Sequence, residues 1–411
     1  MLAPRRLLFA AAGGHGHLQP LLPLAEHAAA AGHQVLVTGA AALAPHAARR
    51  GLSYAASGPD LSAVHAPLAV HDVDQERRAV GTHFVARLGR ARAGDVLDLC
   101  RSWRPDVVVR DEVDFGTAIA AEAAGVPHAA VVVLGAGGFL RPEILRRPLD
   151  ALAAEFGLDT GDSVALLGRH LVLTPFPSRF RDPSDPLLGS VVAYRLPVSA
   201  PGTGSGRGRA AYVTLGTIFN TESGDLLRTM ALGAAACEGM DRVVVATGEH
   251  LDPAVLLPLP GNVVAERFVQ QDAALAQCDV IVSHAGSGTV LGALRHGLPT
   301  VSLPLGADQH LNARRLDQLG LGVTLPADAA SSADVRVAVA IALSSDSMMR
   351  EARVMRDEIR SLPALDRALS ALVRLVEQPG GSVGVHGRAA PHGVAAGGAG
   401  PRAAGPAGRG Q

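Results

Sequence analysis

The sequence contains no lysine, so all 37 of its Lys and Arg residues are arginines. A chain without lysine cannot form a Schiff base with a carbonyl substrate. It also cannot contain the phosphate-binding loop in which a lysine precedes Ser or Thr. Enzymes that depend on either device are therefore excluded.

Cysteine is almost as scarce, with Cys100, Cys237 and Cys278 far apart in the chain. They are odd in number and none belongs to a Cys-x-x-Cys pair, which argues against a disulfide framework and against a zinc site. This use of cysteine favours a reducing compartment, and we expect a cytoplasmic protein.

The sequence also lacks an excess of basic or acidic residues, and it lacks long apolar runs. The formal net charge is −1, so nothing favours nucleic acid or an anionic membrane as a partner. No stretch approaches the roughly 20 apolar residues that span a bilayer. The apolar run after Arg6 is shorter than the roughly 7–15 residues of a signal-peptide core, and it predicts a buried first strand instead. We expect a monomer or a homodimer.

What the chain does contain is a repeated alternation of short apolar strands and helices, which predicts parallel sheets covered on both faces. The predicted strands are Leu7–Ala12, Gln34–Thr38, Val107–Arg110, His128–Leu134, Ala211–Leu215, Arg242–Ala246, Val280–Val282 and Thr300–Leu303. The predicted helices are Gln19–Ala31, Phe115–Ala124, Asp225–Cys237, Ser287–His296 and Gln309–Leu319. Segments 60–100 and 140–180 lack this alternation, and we interpret them as helices and loops at one edge.

A length of 411 residues suits two α/β domains. We predict a first domain over residues 1–196 and a second over 211–378, whose last helix is a candidate to pack back on the first. Residues 197–210 are rich in Pro, Gly and Ser and predict a linker. Residues 379–411 have no periodic order and predict a disordered tail.

The second half contains a Gly-rich turn between a strand and a helix, Ser283-His284-Ala285-Gly286-Ser287-Gly288-Thr289. Gly286 and Gly288 allow a ligand close to the backbone, and the first N–H groups of the following helix favour an anion. His284, Ser287 and Thr289 add side-chain donors. A Gly-rich turn without a ligand explains this spacing equally well.

A second polar pair, Asp308 and Gln309, follows the strand Thr300–Leu303. Ligands of open parallel sheets bind beyond this carboxyl edge. A carboxylate next to an amide suits sugar hydroxyls, which need both acceptors and donors. Asp308 also suits the N-cap of the next helix, and the two roles are compatible.

The stretch ERFVQQDAAL, followed by DVIVSHAGSGTVLGALRHGLPTVSLPLGADQHLNARRL, resembles the donor-binding region of nucleotide-sugar glycosyltransferases of the GT-B fold. It is most similar to the bacterial branch that decorates secondary metabolites, such as enediyne and macrolide glycosyltransferases. The resemblance is tight over about 50 residues and looser from residue 5 to about 375. It implies two Rossmann-like domains whose parallel sheets face each other across a cleft.

The resemblance also implies a role for each matching position. Phe268 and Val269 would hold the nucleobase. The diphosphate would be bound by Gly216, Thr217, His284, Gly286, Ser287, Gly288 and Thr289. Asp308 and Gln309 would bind the sugar. The chain departs from the family pattern at Gln270, where Pro is usual, and at Ala285, which is often Gly, and both departures concern the conformation of a loop.

The first half carries two histidines directly after its first strand, in Gly13-Gly14-His15-Gly16-His17-Leu18-Gln19-Pro20. A dinucleotide-binding fingerprint would need a third Gly where Gln19 stands, so hydride transfer is disfavoured. A His-x-His pair could bind a metal, but no third ligand is evident nearby. The family resemblance assigns the general base to the Gly-His-x-x-Pro motif, and therefore to His17, with His15 as second choice.

In the same family a carboxylate after a later strand orients this histidine. Asp111 occupies that position, and Glu112 and Asp114 are close alternatives. The resemblance thus implies an inverting transfer of sugar from a nucleoside diphosphate sugar to a hydroxyl of a small-molecule natural product. A TDP-deoxysugar is the favoured donor and UDP-glucose the next.

No cofactor and no metal is expected, because the helix terminus and His284 would meet the charge of the leaving diphosphate. Asp72-Val73-Asp74 has the spelling of a metal-binding Asp-x-Asp site, but its polar surroundings indicate the start of a helix. Two alternative functions are a nucleotide-sugar epimerase of the same fold and a non-catalytic homologue that activates a glycosyltransferase.

Overall fold

The computed structural model describes residues 3–59, 73–159, 161–198, 208–216 and 224–377. Each half of this chain contains one wholly parallel sheet. The predicted tail, most of the predicted linker, Thr217 and Asp72 lie outside the described residues.

The first sheet has seven strands in the order β3-β2-β1-β4-β5-β6-β7. The strands are β1 Arg6–Ala10, β2 Gln34–Gly39, β3 Ser53–Ala56, β4 Val107–Asp111, β5 His128–Val131, β6 Leu171–Thr174 and β7 Val191–Ala193. Strands β4, β5 and β6 are buried along their whole length, as expected for strands with helices on both faces.

The helices of this half are α1 His15–Leu18, α2 Leu22–Ala30, α3 Ala44–Ala48, α4 Val73–Ala79, α5 Arg90–Trp103, α6 Phe115–Ala123, α7 Pro142–Glu155 and α8 Ser163–Leu166. A ten-residue π-helix, Val80–Gly89, joins α4 to α5. Short 3₁₀ turns occupy Ala41–Leu43 and Ser178–Phe180. Asp114 caps α6, because its carboxylate accepts the N–H of Thr117.

The second sheet has six strands in the order β10-β9-β8-β11-β12-β13. They are β8 Arg209–Thr214, β9 Met240–Ala246, β10 Val263–Glu266, β11 Val280–Ser283, β12 Thr300–Ser302 and β13 Gly322–Thr324. Its helices are α9 Gly224–Ala235, α10 Gln271–Leu275, α11 Ser287–His296, α12 Gln309–Gln318, α13 Ser332–Ser344, α14 Asp346–Ser361 and α15 Leu365–Glu377, with a 3₁₀ turn at Pro253–Leu256.

Several sequence predictions of single elements need correction. The helix predicted over Gln19–Ala31 begins only at Leu22, as α2, and a separate short helix, α1, precedes it. Pro20 lies between the two helices and has no N–H to continue the first one. Segment 140–180 contains β6, a strand inside the sheet rather than edge decoration. Strand β8 begins at Arg209, within the predicted linker. Four strands were not predicted, because a strand of three or four residues is too short to show a clear hydrophobic pattern; they are β3, β7, β10 and β13.

The two halves share contacts away from the sheets. Helix α15, the last described helix, packs against α2 and β7 of the first half. One buried apolar cluster includes residues of both halves, among them Leu18, Phe180, Leu291 and Leu372. Among the described residues, no helix combines the length and apolar character that crossing a membrane requires.

Candidate active site

His17 and Asp111 meet at the carboxyl edge of the first sheet, with His17 Nδ1 3.5 Å from Asp111 Oδ2. The meeting follows from strand order, because β1 and β4 are neighbours and Ala10 pairs with Arg110. The chain then continues from β1 into α1, which carries His17. Gly13 leaves room for the imidazole, since a Cβ there would stand 2.2 Å from His17 Cδ2.

The carboxylate of Asp111 is fixed from both sides. Oδ2 accepts the N–H of Ala12 at 2.7 Å and Oδ1 accepts the N–H of Val113 at 2.8 Å. Burial by itself would raise the pKa of Asp111, but His17, the N–H of Ala12 and the charge of Arg92 lower it below its ordinary value. Asp111 is therefore an ionised, immobile partner for His17.

Burial pushes the pKa of His17 down, while Asp111 pushes it up through charge and hydrogen bonding. The carboxylates of Asp308 and Asp114 act in the same direction as Asp111. The net result is a pKa above the ordinary value of 6.5. His17 is thus a stronger base than a free imidazole, and Phe84 of the π-helix stacks on it with ring centroids 6.0 Å apart.

The second-choice base, His15, has different surroundings. Its ring lies against His46, with centroids 4.4 Å apart. Burial first, and then the nearby His46, Arg50 and Arg49, lower the pKa of His15 to about 4. Among the described residues, Asp111 is the one acid at ion-pair distance from His17, and none stands at that distance from His15.

The two alternative acids are occupied elsewhere. Asp114 forms a buried ion pair with Arg92, whose Nη2 lies 2.6 Å from Asp114 Oδ2. Glu112 Oε1 accepts the N–H groups of Val133 and Leu134 at 2.8 and 2.6 Å. Sequence reasoning missed Arg92, which lies far from Asp114 in the chain and carries no motif.

The facing wall is built from the second sheet, where His284 follows β11. The imidazole is buried and wedged between two glycines, because a Cβ on Gly216 or on Gly286 would stand 2.7 or 2.5 Å from His284 Nε2. Burial lowers the pKa of His284 to about 4, against an opposing hydrogen bond with the backbone of Thr214. His284 is therefore neutral at neutral pH, and one of its ring nitrogens is engaged with the backbone of Thr214.

Gly286 is the N-cap of α11, and no side chain occupies the cap. Gly288 in the first turn is exposed, whereas Thr289 is buried. The first N–H groups of a ten-residue helix therefore end beside His284 and Gly216, an arrangement suited to an anion. Thr217, predicted to meet the same anion, lies outside the described residues.

Asp308 and Gln309 lie at the start of α12, next to α11. The Asp308 carboxylate makes no capping bond. Instead Asp308 Oδ2 accepts from Ser287 Oγ and, at 2.8 Å, from Asn312 Nδ2. Burial raises the pKa of Asp308, although these hydrogen bonds and the charge of His17 oppose the rise. Gln309 Oε1 accepts the N–H groups of Leu305 and Gly306 at 2.8 and 3.3 Å.

The predicted nucleobase residues differ from each other. The Phe268 ring is 81% exposed, which makes it the most exposed large apolar side chain among the described residues. Val269 is half-buried and packs on the small cluster under β8 and β11. Gln270, where the family resemblance implies Pro, precedes α10 with φ of −64° and ψ of 95°, a backbone that a proline can also adopt.

The two walls touch each other directly. Gly135, in the loop after β5, donates its N–H to Ser287 Oγ at 2.6 Å. The next residue, Ala136, donates its N–H to Asn312 Oδ1 at 3.0 Å. His17 and Asp308 influence each other's pKa, so the candidate base and the candidate sugar-binding acid lie within electrostatic reach across the cleft.

Two places could in principle hold a metal. Asp74 pairs with Arg77 at 3.1 Å, while its partner Asp72 lies outside the described residues. Glu122, His128 and His170 bring three ligand atoms within 4.8 Å of one another. However, Arg110 Nε approaches His128 Nδ1 at 3.5 Å and His128 Nε2 lies 3.2 Å from Glu122 Oε1. A neutral imidazole that accepts from Arg110 and donates to Glu122 accounts for this cluster.

Solved structures share this architecture. The calicheamicin glycosyltransferase CalG4 superimposes with a TM-score of 0.76 over 92% of this chain and 100% of its own, at 24% identity. Two parallel-sheet domains that face each other across a cleft define a GT-B glycosyltransferase, and the predicted fold class is confirmed.

The family follows from the sequence matches. Models of the N-terminal and C-terminal domains of erythromycin biosynthesis protein CIII-like proteins match residues 27–155 and 231–375. The chain belongs to this family of glycosyltransferases. It is 27% identical to the tylactone mycaminosyltransferase of Streptomyces fradiae, over 90% of this chain and 92% of the relative. It is equally similar to the TDP-daunosamine transferase DnrS of Streptomyces peucetius, over 90% of this chain and 96% of the relative.

Proposed function

We propose that the chain moves a sugar from a nucleoside diphosphate sugar to a hydroxyl of a small-molecule natural product, with inversion at the anomeric carbon. A TDP-deoxysugar is the preferred donor and UDP-glucose the second. The observation that carries this proposal is the pair formed by half-buried His17 and fully buried Asp111, which lies within electrostatic reach of Asp308 on the opposite wall.

In this reaction the acceptor oxygen attacks the anomeric carbon while the bond from that carbon to the diphosphate oxygen breaks. His17 takes the hydroxyl proton, and Asp111 holds the ring and stabilises the imidazolium that forms. Such general-base help contributes about 10²–10⁴ in rate. A single displacement from the opposite face inverts the centre and needs no protein nucleophile.

The leaving diphosphate gains negative charge as the bond breaks. The N-terminus of α11, His284 and Thr217 would meet that charge in place of a metal ion. The Asp308 carboxylate and Gln309 would bind the sugar, and Phe268 and Val269 the nucleobase. The exposed ring of Phe268 supports this role, because a base that covers it would remove apolar surface from water.

The names of the relatives support the donor and acceptor classes. One relative is named for TDP-daunosamine and another for tylactone, a natural-product acceptor. We therefore propose TDP donors ahead of UDP donors, and tylactone as a first acceptor to test. The reaction is proposed to proceed in the presence of a chelator.

A ligand screen followed by transfer assays tests the proposal. TDP should raise the melting temperature more than UDP does, since a ligand that binds only the folded state stabilises it. Transfer to an acceptor panel is then measured with and without EDTA, and the anomeric configuration of the product is read by NMR. Failure to transfer any sugar from either nucleotide class would refute the function.

Replacing the base gives the sharpest comparison. His17→Ala should lower kcat by about 10²–10⁴ while the circular dichroism spectrum stays the same. His15→Ala is the matched variant two residues away, and it should retain more activity, because His15 has no carboxylate partner at ion-pair distance among the described residues. Equal activity of His17→Ala and the parent protein would remove His17 from the mechanism.

A further inference from the structure

Asn312 lies on α12, one turn after Asp308, and its side chain is completely buried. Its amide nitrogen lies 2.9 Å from the carbonyl oxygen of Ala285, 3.0 Å from Ser287 Oγ and 2.8 Å from Asp308 Oδ2, so its two N–H groups are shared among three acceptors. The carbonyl of Ala285 accepts only and the N–H of Ala136 donates only, so the two ends of the amide cannot exchange places.

These contacts connect both walls of the cleft. Ala285, Ser287 and Asp308 belong to the second half, whereas Ala136, which donates to Asn312 Oδ1, belongs to the first. Ser287 makes a parallel connection by accepting the N–H of Gly135. Two consecutive backbone amides of the first half are thus held by two side chains of the second.

We propose that Asn312 is a positioning residue that couples closure of the cleft to the orientation of the sugar-binding carboxylate. The inference rests on the proposed function, which assigns Asp308 to the sugar. Hydrogen bonds from Asn312 and Ser287 both end on Oδ2 and therefore favour one orientation of the carboxylate, in which the proposal assigns Oδ1 to a sugar hydroxyl.

The coupling has a simple physical basis. A buried amide keeps its orientation only while both of its ends have partners, because an unpaired buried polar group is costly. When the walls separate, Asn312 Oδ1 loses Ala136 and the amide is free to turn away from Asp308. When they close, the bond to Ala136 fixes the amide, and the amide fixes Asp308. Neither role requires Asn312 to touch the substrates.

Two substitutions separate the two roles. Asn312→Asp keeps an oxygen for the N–H of Ala136 but replaces the donor to Asp308 with a second carboxylate oxygen. We expect the donor KM to rise about 10- to 100-fold, as for loss of a hydrogen bond to a charged group, while the acceptor KM changes little. The melting temperature should fall, because the new acid is buried against the carboxylate of Asp308 and the carbonyl of Ala285. Asn312→Ala removes both bonds, and we also expect faster hydrogen exchange at the Ala136 amide.

Gln318→Glu is the matched control, because it makes the same amide-to-acid exchange on the exposed end of α12. It should leave KM, kcat and exchange at Ala136 unchanged. If Asn312→Asp does not fold, Asn312→Ala, which adds no buried charge, carries the test alone. Donor KM unchanged in the folded Asn312 variants would overturn the positioning role.

Hydrogen exchange keeps this inference separate from the proposed function. Total lack of sugar transfer by the parent protein would refute the function. Even then, equal exchange at Ala136 in the parent and in Asn312→Ala would refute the bridge between the walls, and slow exchange only in the parent would support it.

Discussion

The carboxylate of Asp111 is held by the backbone and also contacts the candidate base, His17. Each oxygen accepts a backbone N–H, and Oδ2 also faces His17 Nδ1. Two backbone hydrogen bonds hold the side chain of Asp111 in one rotamer, so the carboxylate is in position before any substrate binds. At the residue scale, the charge of Asp111 is the main influence that opposes the effect of burial on His17.

Asp111→Asn should therefore change the pH profile as well as the rate. Removing the charge lowers the pKa of His17, so the acid limb of kcat/KM should move to lower pH. The rate should fall by about 10²–10⁴, because the amide no longer stabilises the imidazolium. The measurement is kcat/KM across the pH range in which the parent protein gains activity.

Asp106→Asn is the matched control at the other end of β4, where Asp106 Oδ2 accepts the N–H of Arg6 at 2.7 Å. Its acid limb should coincide with that of the parent protein. An acid limb of Asp111→Asn that does not move would show that Asp111 does not set the basicity of His17.

At the scale of elements, the turns that follow β11 and β12 decide where the site residues point. Ala285 and Ala307 both adopt left-handed backbones, with φ of 63° and 51°. Such a conformation costs a non-glycine residue about 1–2 kcal/mol. Such a backbone suits the Gly that the family resemblance implies at the position of Ala285, whose methyl group is here packed in the apolar core.

Ala307 offers a clean test because its side chain is exposed and no packing is lost on substitution. Ala307→Gly should raise the free energy of unfolding by about 0.5–1 kcal/mol, since relief of backbone strain exceeds the added entropy of the unfolded chain. Urea unfolding followed by circular dichroism measures the change. Ala329→Gly, at an exposed turn without positive φ, should destabilise slightly, and the same sign at both sites would contradict the strain argument.

At the scale of the whole molecule, burial holds histidines of both halves in the neutral form. Burial is the main cause that lowers the pKa of His15, His128 and His284 to about 4 each. Between pH 6.5 and about 4 the unfolded chain binds protons at these positions and the folded chain does not. His17, with its raised pKa, offsets only part of this difference.

The free energy of unfolding should therefore fall as the pH falls from about 6.5 towards about 4, before most carboxylates are protonated. Urea midpoints measured at a series of pH values across this window check the prediction. His128→Gln should reduce the slope, because Gln can still donate to Glu122 but does not titrate. His83→Gln, at an exposed position, is the control, and an equal slope in all three proteins would contradict the assignment.

The sequence by itself determined the two parallel sheets. Strands that are buried on both faces consist of continuous apolar runs, and Val107–Val109 and Val280–Val282 are such runs. It also determined the Gly-rich turn before α11, whereas the pairing of His17 with Asp111 was implied by the family resemblance.

Only the tertiary structure decided what each polar side chain contacts. It brought Arg92 to Asp114, joined Ser287 and Asn312 to the backbone of Gly135 and Ala136, and gave Gln309 partners in its own loop. Some of these contacts join residues that are far apart in the chain, and others depend on the path of a loop. Neither kind of contact produces a periodic pattern in the sequence. The burial of a strand can be predicted from the apolar residues of that strand alone. A polar contact is determined only when two separate elements pack together.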